Sequence, residues 1–164
     1  RQFLSVADFL THAQRILQRR KARSGKSLEL QTRAILLEEG FAEGTDFSHQ
    51  PESESGKRPD FLFPSEAAYK SADFPAARLR MLAAKTTCKD RWRQVINEAD
   101  RIPEKHLLTL QEGVSENQYA EMKAAGVRLV IPQPLVKSFP DRVQPGLVTL
   151  GSFVESVRHL RIVG

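Results

Sequence analysis

Asp60, Lys85 and Glu98 are the residues whose types and order could do chemistry, and that chemistry is phosphodiester hydrolysis. The reaction needs water deprotonated, a pentavalent phosphorane-like transition state neutralised and a leaving oxygen stabilised. Carboxylates that hold Mg2+ serve the first and third needs, and a lysine helps with the second. Mg2+ binds through one or two carboxylates and completes its shell with water and phosphate oxygens, so two acids suffice. Asp60 follows Pro59 at the head of the apolar run Phe61-Leu62-Phe63. Lys85 lies near the end of a later run, 79–87, on the same strand face as Ala83 and Met81. Many nucleases place an acid two positions before this lysine. Ala83 stands there instead, so the simple acid-x-Lys pattern is broken, and Glu98 can restore the count. In a helix over 90–101, Arg91, Val95 and Glu98 share one face, and packing of the Trp92 side against a sheet would aim that face at the strand ends.

Three further features could assist. Glu29 falls in the first turn of a helix expected over 27–39, where it is either a favourable charge at the helix dipole or an extra acid near the metal. The basic run Arg19-Arg20-Lys21-Ala22-Arg23, with Lys26 beyond it, is either a solvated helix end or an edge that contacts phosphates. Lys89-Asp90-Arg91 is either an ordinary capped helix start or a reader of base pairs. Trp92 and Cys88 read as packing residues, and the scattered His12, His49, His106 and His159 form no metal constellation. Gly25-Lys26-Ser27 lacks the first glycine and the preceding strand of a phosphate-binding loop, which excludes nucleotide binding of that kind.

The elements that must position these residues follow from periodicity. Val6, Phe9, Leu10, Ala13, Ile16 and Leu17 predict a helix over 5–20, broken at Ser24-Gly25-Lys26-Ser27. The second helix, over 27–39, stops at Gly40. Residues 41–58 read as an exposed loop, and 65–78 as an irregular connection with a helical turn at 66–70. Strands over 61–63, 79–87, 106–110 and 127–131 alternate with helices over 90–101 and 115–125, the latter capped by Ser115 and ended by Gly126. Residues 132–148, with Pro132, Pro134, Pro140 and Pro145, read as loop, and 151–160 as a last helix. The strand-helix alternation implies an α/β layered domain with a partly parallel sheet. The chain of 164 residues reads as a single domain: a helical part over 1–40, an α/β core over 58–131 and a C-terminal loop and helix over 132–164.

The totals agree with a nucleic-acid partner. Net charge is +5, and residues 1–26 hold seven Lys or Arg against Asp8, leaving the rest of the chain near neutral. The lone Cys88 excludes an internal disulfide framework and a Cys-rich zinc site. No apolar run approaches the length of a membrane span. Because it opens on Arg1 rather than Met, the chain reads as part of a longer protein.

Pro59-Asp60, Lys85 and Glu98 together resemble the variant of the PD-(D/E)xK nuclease signature in which the second acid has moved onto a helix. The run Arg78-Leu79-Arg80-Met81-Leu82-Ala83-Ala84-Lys85-Thr86-Thr87-Cys88-Lys89-Asp90-Arg91-Trp92-Arg93 is closely similar to the catalytic C-terminal domain of EcoRII-type type II restriction endonucleases. His106-Leu107-Leu108-Thr109-Leu110-Gln111-Glu112-Gly113, Ser24-Gly25-Lys26-Ser27-Leu28-Glu29 and Arg58-Pro59-Asp60-Phe61-Leu62-Phe63-Pro64 share the likeness, which extends over nearly the whole chain. The resemblance implies a restriction-endonuclease-like fold, with a central mixed sheet flanked by helices. It also implies a homodimer, Mg2+, and cleavage of double-stranded DNA at or near 5′-CCWGG. Members carry an N-terminal effector-binding domain, so the chain is expected to be an excised domain or a standalone relative. Carried over, Asp60 and Glu98 would ligate the metal, and Lys85 would contact the scissile phosphate and orient the attacking water. Glu29 would match the helical acid of related enzymes, and Lys89-Asp90-Arg91 the segment that reads G·C pairs. Arg23 and Lys26 would contact DNA. A bacterial cytoplasmic enzyme follows, whose cognate methyltransferase is a genetic rather than a physical partner. Two rival readings stand beside it: a structure-specific repair or recombination nuclease of the same fold, and a sequence-specific DNA-binding module without catalysis.

Overall fold

The computed structural model of the chain describes residues 24–89 and 91–163. The helix expected over 5–20, Arg23 and Asp90 lie outside the described residues. Six strands form one sheet in chain order: β1 (Ser48–His49), β2 (Phe61–Phe63), β3 (Arg80–Ala84), β4 (Lys105–Leu108), β5 (Val127–Ile131) and β6 (Val148–Thr149). The first three pair antiparallel, and β3 to β6 run parallel, so the sheet is mixed. Parallel strands need crossovers that cover the faces of the sheet. Accordingly every residue of β2 and β4 is buried, and Arg128 is the exposed exception in β5.

The helices are α1 (Ser24–Glu38), α2 (Glu66–Lys70), α3 (Trp92–Val95), α4 (Glu116–Ala124) and α5 (Leu150–Val163). Helix α4 starts on Ser115, whose hydroxyl accepts from the Gln118 N–H at 3.1 Å. It ends at Gly126, where φ is +83° and an added Cβ would lie 3.0 Å from the Pro103 carbonyl oxygen. Both the left-handed backbone and the close approach require glycine there. Leu28, Ile35 and Leu36 of α1 join Phe47, the β2 and β3 side chains, Trp92 and Phe153 in one core. No helix among the described residues is long and apolar enough to cross a membrane.

Several expected boundaries move. Helix α1 already runs at Ser24, three residues ahead of its expected start at 27. The helix expected over 90–101 is a single turn, Trp92–Val95, with no side-chain cap; residues 96–101 are turns. Ala99, fully buried with φ of 50°, bars an α-helix from running through to 101. The loop over 41–58 contains β1, and the proline-rich 132–148 contains 3-10 helices at Gln133–Ser138 and Gln144–Gly146 and the start of β6. The strands expected over 79–87 and 106–110 are Arg80–Ala84 and Lys105–Leu108.

Candidate active site

The antiparallel edge and the parallel half of the sheet meet at β3, and the candidate residues gather there. Asp60 immediately precedes β2. Its main-chain oxygen accepts from the Gln50 N–H at 2.8 Å, and its Oδ2 accepts from the Ala84 N–H at 2.8 Å. Those two bonds fix the carboxyl group against the end of β3. Lys85 is the next residue after β3, and its N–H donates to the Leu108 carbonyl at 2.9 Å, prolonging the β3–β4 ladder by one bond. Glu98 arrives from the other direction, on the turn after α3, with Oε1 buried and without a hydrogen-bond partner.

Electrostatics tie the three into one site. Burial pushes the Glu98 carboxyl up to about 7, and the neighbouring Asp60 charge adds to the rise; Lys85 and Lys105 act against it. The Asp60 carboxyl is likewise raised by burial, opposed by the Ala84 N–H and by Lys85. Two partly buried carboxylates, each raised by desolvation, with the Asp60 charge reaching Glu98 and only lysines at a distance to offset it, make a site that favours added positive charge. A hard divalent cation supplies it, and the oxygen donors fit Mg2+, which needs only one or two carboxylates. Among the described residues no group of three or more His, Cys, Asp or Glu is arranged to hold a metal.

Glu29 joins this site by a route the sequence did not disclose. Because α1 starts at Ser24, Glu29 lies beyond the first turn, and the dipole explanation of its presence loses force. Its carboxylate is buried, and its Oε2 is shared by His49 Nε2, by Gln50 Nε2 at 2.7 Å and, at 3.6 Å, by the exposed Lys26 ammonium. Charges on Glu29 and His49 both reach Asp60. His49, which the sequence offered only as one of four scattered histidines, therefore borders the site, as does Gln50. Strand β1 delivers both: His49 pairs with Phe61 and stacks on its ring, centroids 5.2 Å apart. Gln50 turns sharply away with φ of 52°. A two-residue strand in a Gly-, Ser- and Glu-rich stretch has too short a pattern to be read from sequence.

Lys89 and Arg91 are exposed, with no ion pair among the described residues, on the turn between β3 and α3. The main chain beneath them is held firmly. Gln111 Oε1 accepts from the Cys88 N–H at 2.8 Å, and Gln118 Nε2 donates to the Lys89 carbonyl at 3.1 Å. Those two bonds tie the main chain at Cys88 and Lys89 to Gln111 and Gln118. Arg93, by contrast, is engaged by Glu121 at 3.1 Å and by the Trp92 ring at 4.4 Å. Trp92 and Cys88 are buried as expected, and burial pushes the Cys88 thiol up to about 11, so it is inert at neutral pH.

Comparisons with known proteins agree with this architecture. The family model of the EcoRII C-terminal domain matches residues 1–154. The type II restriction enzyme EcoRII of Escherichia coli is 51% identical over 158 residues, which are 96% of this chain and 38% of that protein. Two solved structures of metal-depleted Ecl18kI, one in complex with uncleaved DNA and one with uncleaved, modified DNA, are each 25% identical to this chain. Their TM-scores are 0.68 and 0.69, over 87% of this chain and 47% of those chains. The chain thus spans less than half the length of the relatives it matches. The shared fold is that of the restriction endonucleases.

Proposed function

The chain belongs to the EcoRII C-terminal domain family, and from that premise we propose that it is the catalytic domain of a type II restriction endonuclease, hydrolysing both strands of DNA with Mg2+ at a short near-palindromic site of the CCWGG kind. The observation that carries the reading is the convergence of Asp60, Lys85 and Glu98 around a site that favours added positive charge. Relatives named as a restriction enzyme, and as a nuclease held on uncleaved DNA, support the same chemistry.

In this reading Asp60 and Glu98 hold the cation. When bound, Mg2+ neutralises phosphate charge and acidifies the attacking water. Lys85 donates to the scissile phosphate, where its charge stabilises the transition state, and orients that water. Glu29, through its network with His49 and Gln50, holds negative charge next to Asp60 and fixes the site's β1 wall. Lys89, Asp90 and Arg91 read G·C pairs: a basic side chain donates to guanine O6 and N7, and an acid accepts from cytosine N4. Arg23 and Lys26 contact phosphates. The active form is a homodimer whose two-fold axis matches that of the DNA site. It works in the bacterial cytoplasm, where a cognate methyltransferase protects the host.

Digestion of a plasmid carrying CCWGG sites, followed by sequencing of the new ends, tests this. Discrete fragments are expected in Mg2+ and none in EDTA or with Asp60→Ala. Cutting of branched but not linear DNA would instead favour a structure-specific nuclease. Tight site-specific binding with no cutting under any divalent metal would favour a binding module.

A further inference from the structure

Lys105 is a buried charged residue for which the reading above has no use. It opens β4 and is only 5% exposed, yet among the described residues it forms no ion pair. Its Nζ donates instead to three main-chain oxygens: Glu98 at 2.7 Å, Ala99 at 2.9 Å and Ile102 at 2.5 Å. Three donors meet three acceptors, so the ammonium is fully satisfied. The acceptors all lie on the turn that follows α3. That turn holds Ala99 at a positive φ and closes with the Ile102 N–H on the Ala99 carbonyl at 2.9 Å. Glu98 leaves this turn with a buried, unpartnered Oε1. At the other end of β4, the Leu108 carbonyl accepts the Lys85 N–H. One short strand therefore holds the Lys85 main chain at one end and the Glu98 main chain at the other.

We propose that Lys105 is a positioning residue that sets the Glu98 carboxylate for the cation by binding the main chain on which Glu98 sits. The consequence for cleavage rests on the nuclease reading; the consequence for metal binding does not need DNA. A turn with a left-handed alanine and carbonyls facing inward has no reason to keep this shape without a donor at its centre. Removing the ammonium leaves the Glu98 and Ile102 carbonyls unpaired and the Ala99 carbonyl with the Ile102 N–H alone, and the two orphaned acceptors can regain partners only if the turn moves. Glu98 moves with it.

Thermal denaturation in EDTA and along a Mn2+ series reads metal affinity without cleavage. The chains compared are wild type, Lys105→Met, which keeps the apolar stem, and Lys105→Gln, a smaller neutral donor that serves if the Met variant does not fold. Val130→Ala, a core truncation on β5, controls for lost stability alone. The neutral variants are expected to need about 10–100-fold more Mn2+ for half of the stabilisation, while Val130→Ala melts lower with its Mn2+ dependence unchanged. Wild-type Mn2+ dependence in either neutral variant overturns the role of Lys105 and leaves the nuclease reading standing. So does an equal weakening in Val130→Ala, or failure of both neutral variants to fold, since each makes Lys105 a general stability residue. A wild-type chain that Mn2+ does not stabilise overturns the metal site itself, and Lys105's role with it.

Discussion

The Glu98 carboxyl sits at about 7 in the folded chain, against an ordinary value of 4.5, because it is buried and shares its surroundings with Asp60. Between those values the native state binds more protons than the unfolded one. Stability is therefore greatest while the group is neutral and is lost as pH rises toward and through 7, up to a ceiling of about 3 kcal/mol. His106 has the opposite slope. Burial first, then Arg128 and Arg80, push its imidazole down to about 4 from 6.5. Its contribution is lost as pH falls through that window. The two partly cancel in the whole chain, so the difference between wild type and Glu98→Gln isolates Glu98. In EDTA, guanidinium denaturation should find the two equal near pH 4.5, and Glu98→Gln more stable by roughly 1–3 kcal/mol at alkaline pH. Equal stability throughout would mean that the carboxylate is not held in the buried setting described. Base reading makes a second prediction at this scale. Arg91→Ala should lower discrimination between cognate and single-mismatch duplexes by roughly 1–3 kcal/mol. Lys26→Ala, whose ammonium lies on Glu29 at the site's rim, should weaken all duplexes alike. Competition binding in Ca2+ separates these outcomes; uniform weakening by Arg91→Ala would remove it from the reader.

At the scale of elements, the site depends on turns as much as on strands. Gly126 ends α4 and abuts Pro103 on the segment that leads into Lys105. Gly126→Ala meets both a left-handed backbone and a 3.0 Å contact, whereas Gly40→Ala, at φ of +90°, meets open space. Urea denaturation should show the first costing more than about 1 kcal/mol, and more than the second; the reverse order would contradict the packing of this turn. The sequence made the strands legible because 61–63, 79–87, 106–110 and 127–131 are apolar runs bounded by Pro, Gly and charge, and it made α4 legible because Ser115 and Gly126 bracket it. It also offered Asp60, Lys85 and Glu98 as candidates through chemistry and family likeness. It concealed how Glu98 reaches the site. A helix was expected because Trp92, Val95, Ile96 and Ala99 are helically spaced, but the left-handed Ala99 and the grip of Lys105 are tertiary effects that override local preference. His49 and Gln50 were concealed for a related reason: their strand exists only because β2 is there to pair with it.

For the whole molecule, charge and topology set how the domain meets DNA. The surplus of +5 predicts binding that weakens steeply with salt, in proportion to the phosphates contacted. The mixed sheet sets Asp60, at the head of β2, against the end of β3 that leads into Lys85, so under the proposed reading the cutting residues and the basic residues that follow Lys85 in the chain move as one body. The central claim is that Asp60, Lys85 and Glu98 act together on a phosphodiester, with Asp60 and Glu98 as the residues that would hold the cation. Single-turnover cleavage of a labelled duplex with one CCWGG site tests it most directly, using wild type, Asp60→Ala, Lys85→Ala and Glu98→Ala, with duplex binding measured separately in Ca2+. Wild type should cut in Mg2+ and not in EDTA, and each variant should still bind the duplex but cut at least about 10²–10³-fold more slowly. Cutting by any of the three at the wild-type rate, or cutting by wild type in EDTA, would contradict the account.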